Sequence, residues 1–276
     1  MRIEIVTDST SDIPPEIAEE YHIHIVPAIL NIEGKSLEDG PGISRREFYE
    51  RLPHMQTLPT TSAPSTGSFH KIYEKVIKQG ADKVISLHAP APLSGIYNAA
   101  RLAAESFGDR VHVDDSGSLT LGLGFQAMAA SEAARDGASL EEVFAHVEDV
   151  RKRIHLVAML DTFEYVRRSG RVSWAKAALG ALLNIKPFIG VKDGAVLRLG
   201  EARTRLKGVQ RLADKLLGLG PLDRLAILHT NIEDEARQFL ASLNMKLPAP
   251  ALIVNVTTII GTHVGPKGLG FVAVVH

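Results

Sequence analysis

Directly behind the apolar run IEIV (3–6) the chain reads TDSTSD (7–12), which packs two carboxylates and four hydroxyls into six residues. Small oxygen-bearing side chains where a strand hands over to a helix can converge on one anion or polar head group, because the carboxyl edge of a parallel sheet also presents free backbone amides. The same residues suit a helix cap, with Ser11 or Asp12 tying the first turn and Asp8 bracing the loop. Three more hydroxyl-rich loops repeat the texture: PTTSAPSTG (59–67), APLSGIYNAA (91–100) and DDSGSLTLGLG (114–124). Each ends where a helix begins, so four loops at one sheet edge fit a shared polar site as well as four separate caps.

Other chemistries lack a part. A phosphatase of the haloacid type needs a second Asp two residues after Asp8, and Thr10 stands there. The elbow G-x-S-x-G is not met, since Pro92 precedes Ser94 by two and Ser65 sits in Ala-Pro-Ser-Thr-Gly. Gly122, Gly124 and Ala127 match the dinucleotide fingerprint in name, but no strand runs directly into them, and no Walker A sequence exists. His22 and His24 alternate along an expected strand without a third ligand at metal-binding spacing, and there is no cysteine, so no metal site is predicted. Arg167, Arg168 and Arg171, with Arg203 and Arg205 further on, form either a solvated face or a bidentate trap for phosphate or carboxylate. His263 lies in the glycine-rich GTHVGPKGLG (261–270), where it can donate a hydrogen bond, switch charge or cap a turn.

These residues need a scaffold, and the patterning supplies one. The apolar runs IEIV (3–6), IHIVPAIL (23–30), KVISL (83–87) and RVHV (110–113) alternate with amphipathic stretches, which predicts parallel strands with crossover helices. Ser44 with Glu47, and Ser139 with Glu142, fit capping boxes, while Gly80 and Gly137 stand where helices from about 65 and 120 should stop. Past residue 155 the texture changes: IHLVAMLD, a helix pair, then PFIGVKDGAVLRL, whose Asp193-Gly194 reads as a type I′ hairpin turn. RLAILHT, ALIVNVT and GFVAVVH suggest further strands of a second domain.

With 276 residues, 45% of them hydrophobic, and 31 basic against 32 acidic side chains, the chain can bury one large or two smaller cores but offers no field for nucleic acid or anionic membranes. The absent cysteines suit a reducing cytosol. No apolar stretch reaches the roughly 18 residues of a membrane span, and the short amino-terminal run is too short for a signal peptide, so a cytoplasmic protein without integral membrane association is expected.

In order, VTDSTSDIPPE, LEDGPGISRREFYERL, TTSAPS, LSGIYNAA, VDDSGSLTLGLG, LDTFEYVRRSGRVS, LLNIKPFIGVKDGAV, EARTR and THVGPKGLG resemble the signature of the DegV family of lipid-binding proteins across nearly the whole chain. The chain departs from that pattern at Ser169-Gly170-Arg171, where Gly-Gly-Arg is usual, and at Ala63, where a polar residue is usual. The resemblance implies an α/β protein: an N-terminal parallel-sheet domain (1–155) carrying the head-group loops, a second α+β domain (156–276) for the lipid tail, and the ligand site at their junction. It further implies one buried long-chain fatty acid as ligand, no other cofactor and no reaction of its own. The chain would act as a carrier subunit that presents the carboxylate to a separate fatty acid kinase.

By position in the resemblance, Thr61, Ser62 and Ser94 match the head-group hydroxyls, and His263 matches the loop histidine beside them. Arg171 and Arg203 match basic residues that meet the phosphorylated head group or the kinase, while Asp8 and Ser9 brace the site from behind. LVAMLDTF, AALGALLNIKPFI and ALIVNV supply apolar material for a tail channel or, equally, for an ordinary core. Two competing readings stay open: a serine hydrolase of small esters or phosphates using Ser62 or Ser94 with His263, and an interaction module whose arginines dock a protein without lipid.

Overall fold

The computed structural model describes residues 1–176 and 185–276. Its first half runs β1 (Ile3–Asp8), α1 (Pro15–Glu20), β2 (Ile23–Val26), β3 (Ile29–Ile32), β4 (Lys35–Glu38), α2 (Arg45–Arg51), β5 (Thr60–Ser62), α3 (Thr66–Lys78), β6 (Lys83–His88), α4 (Ile96–Ala104), β7 (Val111–Asp115), α5 (Leu121–Arg135) and α6 (Leu140–Arg153). Then follow β8 (Ile154–Met159), α7 (Glu164–Ser169), α8 (Ser173–Lys176), β9 (Lys186–Lys192), β10 (Ala195–Ala202), α9 (Arg205–Leu217), β11 (Leu222–His229), α10 (Glu233–Ser242), β12 (Leu252–Asn255), α11 (Thr258–Val264) and β13 (Leu269–Val275).

The alternation of apolar runs and amphipathic stretches folds as anticipated into a four-stranded parallel sheet, ordered β2-β1-β6-β7. From Val84 to His88 every residue of β6 is buried, as a strand covered on both faces requires. Local punctuation matches the chemistry of each end. Gly80 and Gly137 take φ of +98° and +84° just past α3 and α5, and Ser139 with Glu142 closes a full capping box on α6. At α2 only half the box forms: Ser44 accepts the Glu47 N–H, while the Glu47 carboxylate turns to Arg51.

A second domain is built on a mixed six-stranded sheet, β10-β9-β8-β13-β11-β12, with only β11 and β12 parallel. The division expected at 155 falls inside β8, whose first residue, Ile154, already pairs in this sheet. Asp193 and Gly194, at φ +50° and +75°, turn β9 into β10 with Lys192 opposite Ala195, the two-residue turn its sequence demands. The hairpin tip docks on the loop after β7, where Gly194 N–H meets Gly117 O at 2.8 Å.

One sheet departs from the sequence reading. IHIVPAIL is two strands, because Pro27 has no N–H for the β1 ladder; beyond it β3 joins β4 and β5 in a separate antiparallel sheet ordered β4-β3-β5. Helix α5 is buried along most of its length and packs on β1, β2 and β6 as well as on β8 and β13, so one apolar cluster runs from Ile3 to Val274. Its glycines make that approach possible: a Cβ at Gly124 would sit 2.9 Å from Ser11 O, and one at Gly122 2.1 Å from Ser118 Oγ. The spacing that imitates a dinucleotide fingerprint is therefore a packing device. Among the described residues no helix is long and apolar enough to cross a membrane.

Candidate functional site

Between the carboxyl edge of the parallel sheet and the second sheet lies a cavity offering about 140 Å³ to the centre of a water-sized sphere. Its walls are mostly aliphatic, with Leu156, Leu160, Val166, Ile189, Val191 and Val256 among them. The few polar groups include Thr61, Ser94, Arg171 and His263, four of the residues singled out from the sequence.

Thr61 is central in β5, whose pairing with β3 leaves Thr60 and Ser62 exposed on the other face. Its Oγ1 lies 2.9 Å from Nε2 of His263, which α11 carries in its last turn. Burial, aided by the positive charge of Arg171, pushes the His263 pKa down to about 4, so the ring is neutral near pH 7. Its Nδ1 is buried without a hydrogen-bond partner among the described residues. When Nε2 carries the proton, it donates to Thr61 Oγ1 and leaves the Thr61 hydroxyl proton free for a ligand. Ser94 opens α4, where its Oγ accepts the Ile96 N–H at 3.3 Å. A Cβ on the adjacent Gly95 would stand 3.7 Å from that of Ala63, so the Ser94 loop and the segment after Thr61 are neighbours.

The other expected residues lie elsewhere. Ser62 points away from the cavity and accepts the Asn31 amide at 2.8 Å, because neighbouring strand residues face opposite sides. It is not among the residues that line the cavity, so this geometry lends its head-group assignment no support. Arg203 is exposed just after β10 and does not line the cavity, whereas Arg171, exposed on one side, does. Ser9 Oγ accepts the Ala28 N–H at 3.1 Å, tying the first loop to the start of β3.

Asp8 belongs to a fully buried chain: Tyr73 Oη to Ser86 Oγ at 2.8 Å, Ser86 Oγ to His88 Nε2 at 2.7 Å, and His88 Nδ1 to Asp8 Oδ2 at 2.9 Å. The Asp8 carboxylate also accepts the Ala89 N–H and both the N–H and hydroxyl of Thr10, a residue that lines the cavity. Asp8 thus braces the loop by capping the 3₁₀ turn Ser9–Ser11, whereas the first turn of α1 takes no side-chain cap, neither Ser11 nor Asp12. His24 pairs with Glu4 at 2.9 Å and His22 lies outside β2 at φ +52°, so the two do not share a strand face. Among the described residues no cluster of three metal-ligating side chains occurs.

The sequence reading omits His229 and Thr230, which also line the cavity. They follow the buried run LAIL at the carboxyl end of β11, the same strand-to-polar signature that draws attention to TDSTSD. Burial holds His229 down to about 4, and its Nδ1 accepts the Ile232 N–H at 3.3 Å.

A parallel α/β sheet and a mixed second sheet thus enclose a mostly aliphatic cavity with a few hydroxyls, two imidazoles and one guanidinium in its wall. The chain belongs to the DegV family, whose sequence model, described as an uncharacterised protein of that family, matches residues 2–276. A DegV domain-containing protein of Deinococcus radiodurans is 37% identical over 277 residues, covering 98% of this chain and 97% of the relative. Among solved structures, a DegV-family protein of Thermus thermophilus described by its fatty acid binding superposes with a TM-score of 0.91 at 32% identity over 100% of both chains. DegV of Bacillus subtilis, described as a fatty acid binding protein, gives 0.88 at 30% identity over 99% of each chain.

Proposed function

We propose that this chain binds one long-chain fatty acid, tail in the aliphatic cavity and carboxylate beside Thr61, Ser94 and His263. It presents that head to a separate fatty acid kinase and performs no reaction itself. The observation that carries the reading is the Thr61–His263 contact of 2.9 Å in the wall of a mostly aliphatic cavity. Relatives described as fatty acid binding proteins support it.

Energetics divide the work between the ends of the ligand. At ~0.8 kcal/mol per CH₂, a chain of about sixteen carbons contributes on the order of 12 kcal/mol before ordering costs. The tail therefore sets affinity. A carboxylate withdrawn from water costs several kcal/mol unless donors replace its hydration. Thr61 and Ser94 hydroxyls do so without adding a buried permanent charge, and the Nε2–H tautomer of His263 leaves Thr61 free to donate to the ligand. Arg171 at the cavity and exposed Arg203 just after β10 are the basic groups assigned to the phosphorylated head or the kinase.

A hydrolase finds less support. His263 has no carboxylate on its second nitrogen among the described residues, and the Ser86–His88–Asp8 chain is sealed from solvent.

Protein purified from cells and extracted with organic solvent is expected to yield fatty acid by mass spectrometry. After delipidation, stearate at 100 times its dissociation constant should add about 2.7 kcal/mol and raise Tm. Thr61→Ala and Ser94→Ala should fold yet release stearate faster. An empty extract together with an unmoved Tm overturns the reading.

A further inference from the structure

His263 is placed by a seven-residue helix whose amino end is held from outside by two buried carboxylates. Asp12 Oδ1 accepts the Thr257 N–H at 2.6 Å, and Asp39 Oδ1 accepts the Thr258 N–H at 3.2 Å and the Thr258 hydroxyl at 2.8 Å. Both carboxylates are buried, Asp12 completely and Asp39 with 4% of its surface open. Each keeps a second oxygen without a hydrogen-bond partner among the described residues.

Helix α2 completes the grip. Arg45 donates to the Asn255 carbonyl, and Tyr49 Oη donates to the Val256 carbonyl at 3.1 Å. Tyr49 also lies so close to α11 that a Cβ on Gly261 would fall 2.3 Å from its Oη, which is why glycine stands one turn into the helix. Asp12 itself sits at φ +57°, a left-handed conformation that Asp adopts more readily than most residues. None of these side chains lines the cavity.

Two acids buried side by side are costly, and the fold surrounds them with groups that act on both: Arg45 lowers each pKa, while burial outweighs it and raises each, Asp12 to about 7. Tyr49, pushed well up by burial and the Asp12 charge, stays a donor. A cap with neutral serine or threonine satisfies helix amides at less expense. Using acids here makes sense if the helix end must be held from outside at several points, since Asp39 Oδ1 takes both the N–H and the hydroxyl of Thr258 while Asp12 takes the Thr257 N–H.

We propose that Asp12 and Asp39 are positioning residues that clamp the amino end of α11 and thereby hold His263, at its far end, against Thr61. Its consequence for lipid rests on the binding function proposed above; its consequence for His263 does not. The test is a pair of measurements on the delipidated full chain. First, the His263 ring is titrated by NMR in protein labelled with ¹⁵N-histidine. In Asp12→Ala and Asp39→Ala, α11 loses its anchor, the ring gains water, and its pKa climbs by roughly one unit or more toward the ordinary histidine value. Asp39→Asn retains an oxygen acceptor and should restore most of the original titration. Second, binding of stearate is compared with binding of octadecanol, which has the same tail and no carboxylate. The alanine variants should weaken stearate about tenfold and octadecanol less than about twofold.

An unmoved His263 titration in folded Asp12→Ala and Asp39→Ala overturns the proposal, and so does an equal loss of stearate and octadecanol, which would mean general loosening of the cavity. If both alanine variants fail to fold, Tyr49→Phe replaces them, with a smaller upward shift expected and no shift decisive against. Should the unaltered chain bind neither lipid, the carrier reading fails while the titration still judges the clamp.

Discussion

His88 and His263 each meet a hydroxyl through Nε2, Ser86 Oγ at 2.7 Å and Thr61 Oγ1 at 2.9 Å, but their second nitrogens differ. Nδ1 of His88 meets the Asp8 carboxylate at 2.9 Å inside a chain that Tyr73 finishes at the other end, with all four residues buried. Nδ1 of His263 meets no partner among the described residues, and its hydroxyl partner opens on a cavity. A network in which every donor finds an acceptor has nothing left to offer a ligand; it specifies and rigidifies the sheet edge. A network left open beside a mostly aliphatic cavity has a group to offer a guest. One histidine is tied into the scaffold on both nitrogens, and the other faces the cavity with one nitrogen unmatched among the described residues.

The contrast is most exposed to failure at His88. His88→Ala leaves Asp8 and Ser86 buried without their partner and should cost about 3–5 kcal/mol, read as a lowered urea midpoint with an unchanged slope. His263→Ala, which removes a ring already lacking one partner, should cost less than about 1 kcal/mol at pH 7. Comparable losses for the two would erase the distinction.

Acid provides the next probe, with an effect on the order of 3 kcal/mol for one group. Folded His263 takes up its proton only near pH 4, against about 6.5 for the unfolded chain. Between those values the unfolded chain holds a proton that the folded chain lacks. This contribution is therefore complete above pH 6.5 and lost as pH falls toward 4. Asp12 runs the other way, since its raised pKa of about 7 means that its contribution is complete below about 3.8 and lost as pH rises through 7. Subtracting the stability of His263→Ala from that of the unaltered chain isolates the first slope. The difference should grow from pH 4 to 6.5 and then level off; a flat difference means the ring is not buried neutral.

Much of the scaffold was legible because its signals are local. Gly80, Gly137 and the Asp193-Gly194 turn act on their own residues, and the Ser139–Glu142 box spans one helical turn. The β4-β3-β5 sheet was not legible: it depends on β3 meeting β5 some thirty residues away, and only Pro27 hinted that IHIVPAIL must break. For the site, hydroxyl density marked several loops without ranking them. Spacing cannot reveal that Asp8 would be consumed by His88, Ala89 and Thr10, while Thr61 and Ser94 would line the cavity. The resemblance to a family singled out Thr61, Ser94, Arg171 and His263, and it also brought in Ser62 and Arg203, which stand outside the cavity.

The smallest effect is expected at Ser62, and it is the finest cut through the comparison because Thr61 is the adjacent residue. In an extended strand successive side chains point to opposite faces, so a shift of one position exchanges cavity for surface. Asn31, which pairs across the sheet near Ser62, fixes the register by donating to its Oγ at 2.8 Å, and the Asn31 Oδ1 in turn accepts from Ser36 at 2.7 Å. That surface ladder is exposed to water, so Ser62→Ala should change stability by less than about 0.5 kcal/mol. Stearate binding, followed by displacement of a fluorescent fatty acid, should stay within about twofold of the unaltered chain. Thr61→Val in the same assay, removing one hydroxyl at nearly constant volume, should weaken stearate by roughly five- to tenfold while leaving octadecanol nearly unchanged. If Ser62→Ala weakens stearate as much as Thr61→Val does, β5 binds lipid in a different register, and the open network around His263 is not where the head group sits.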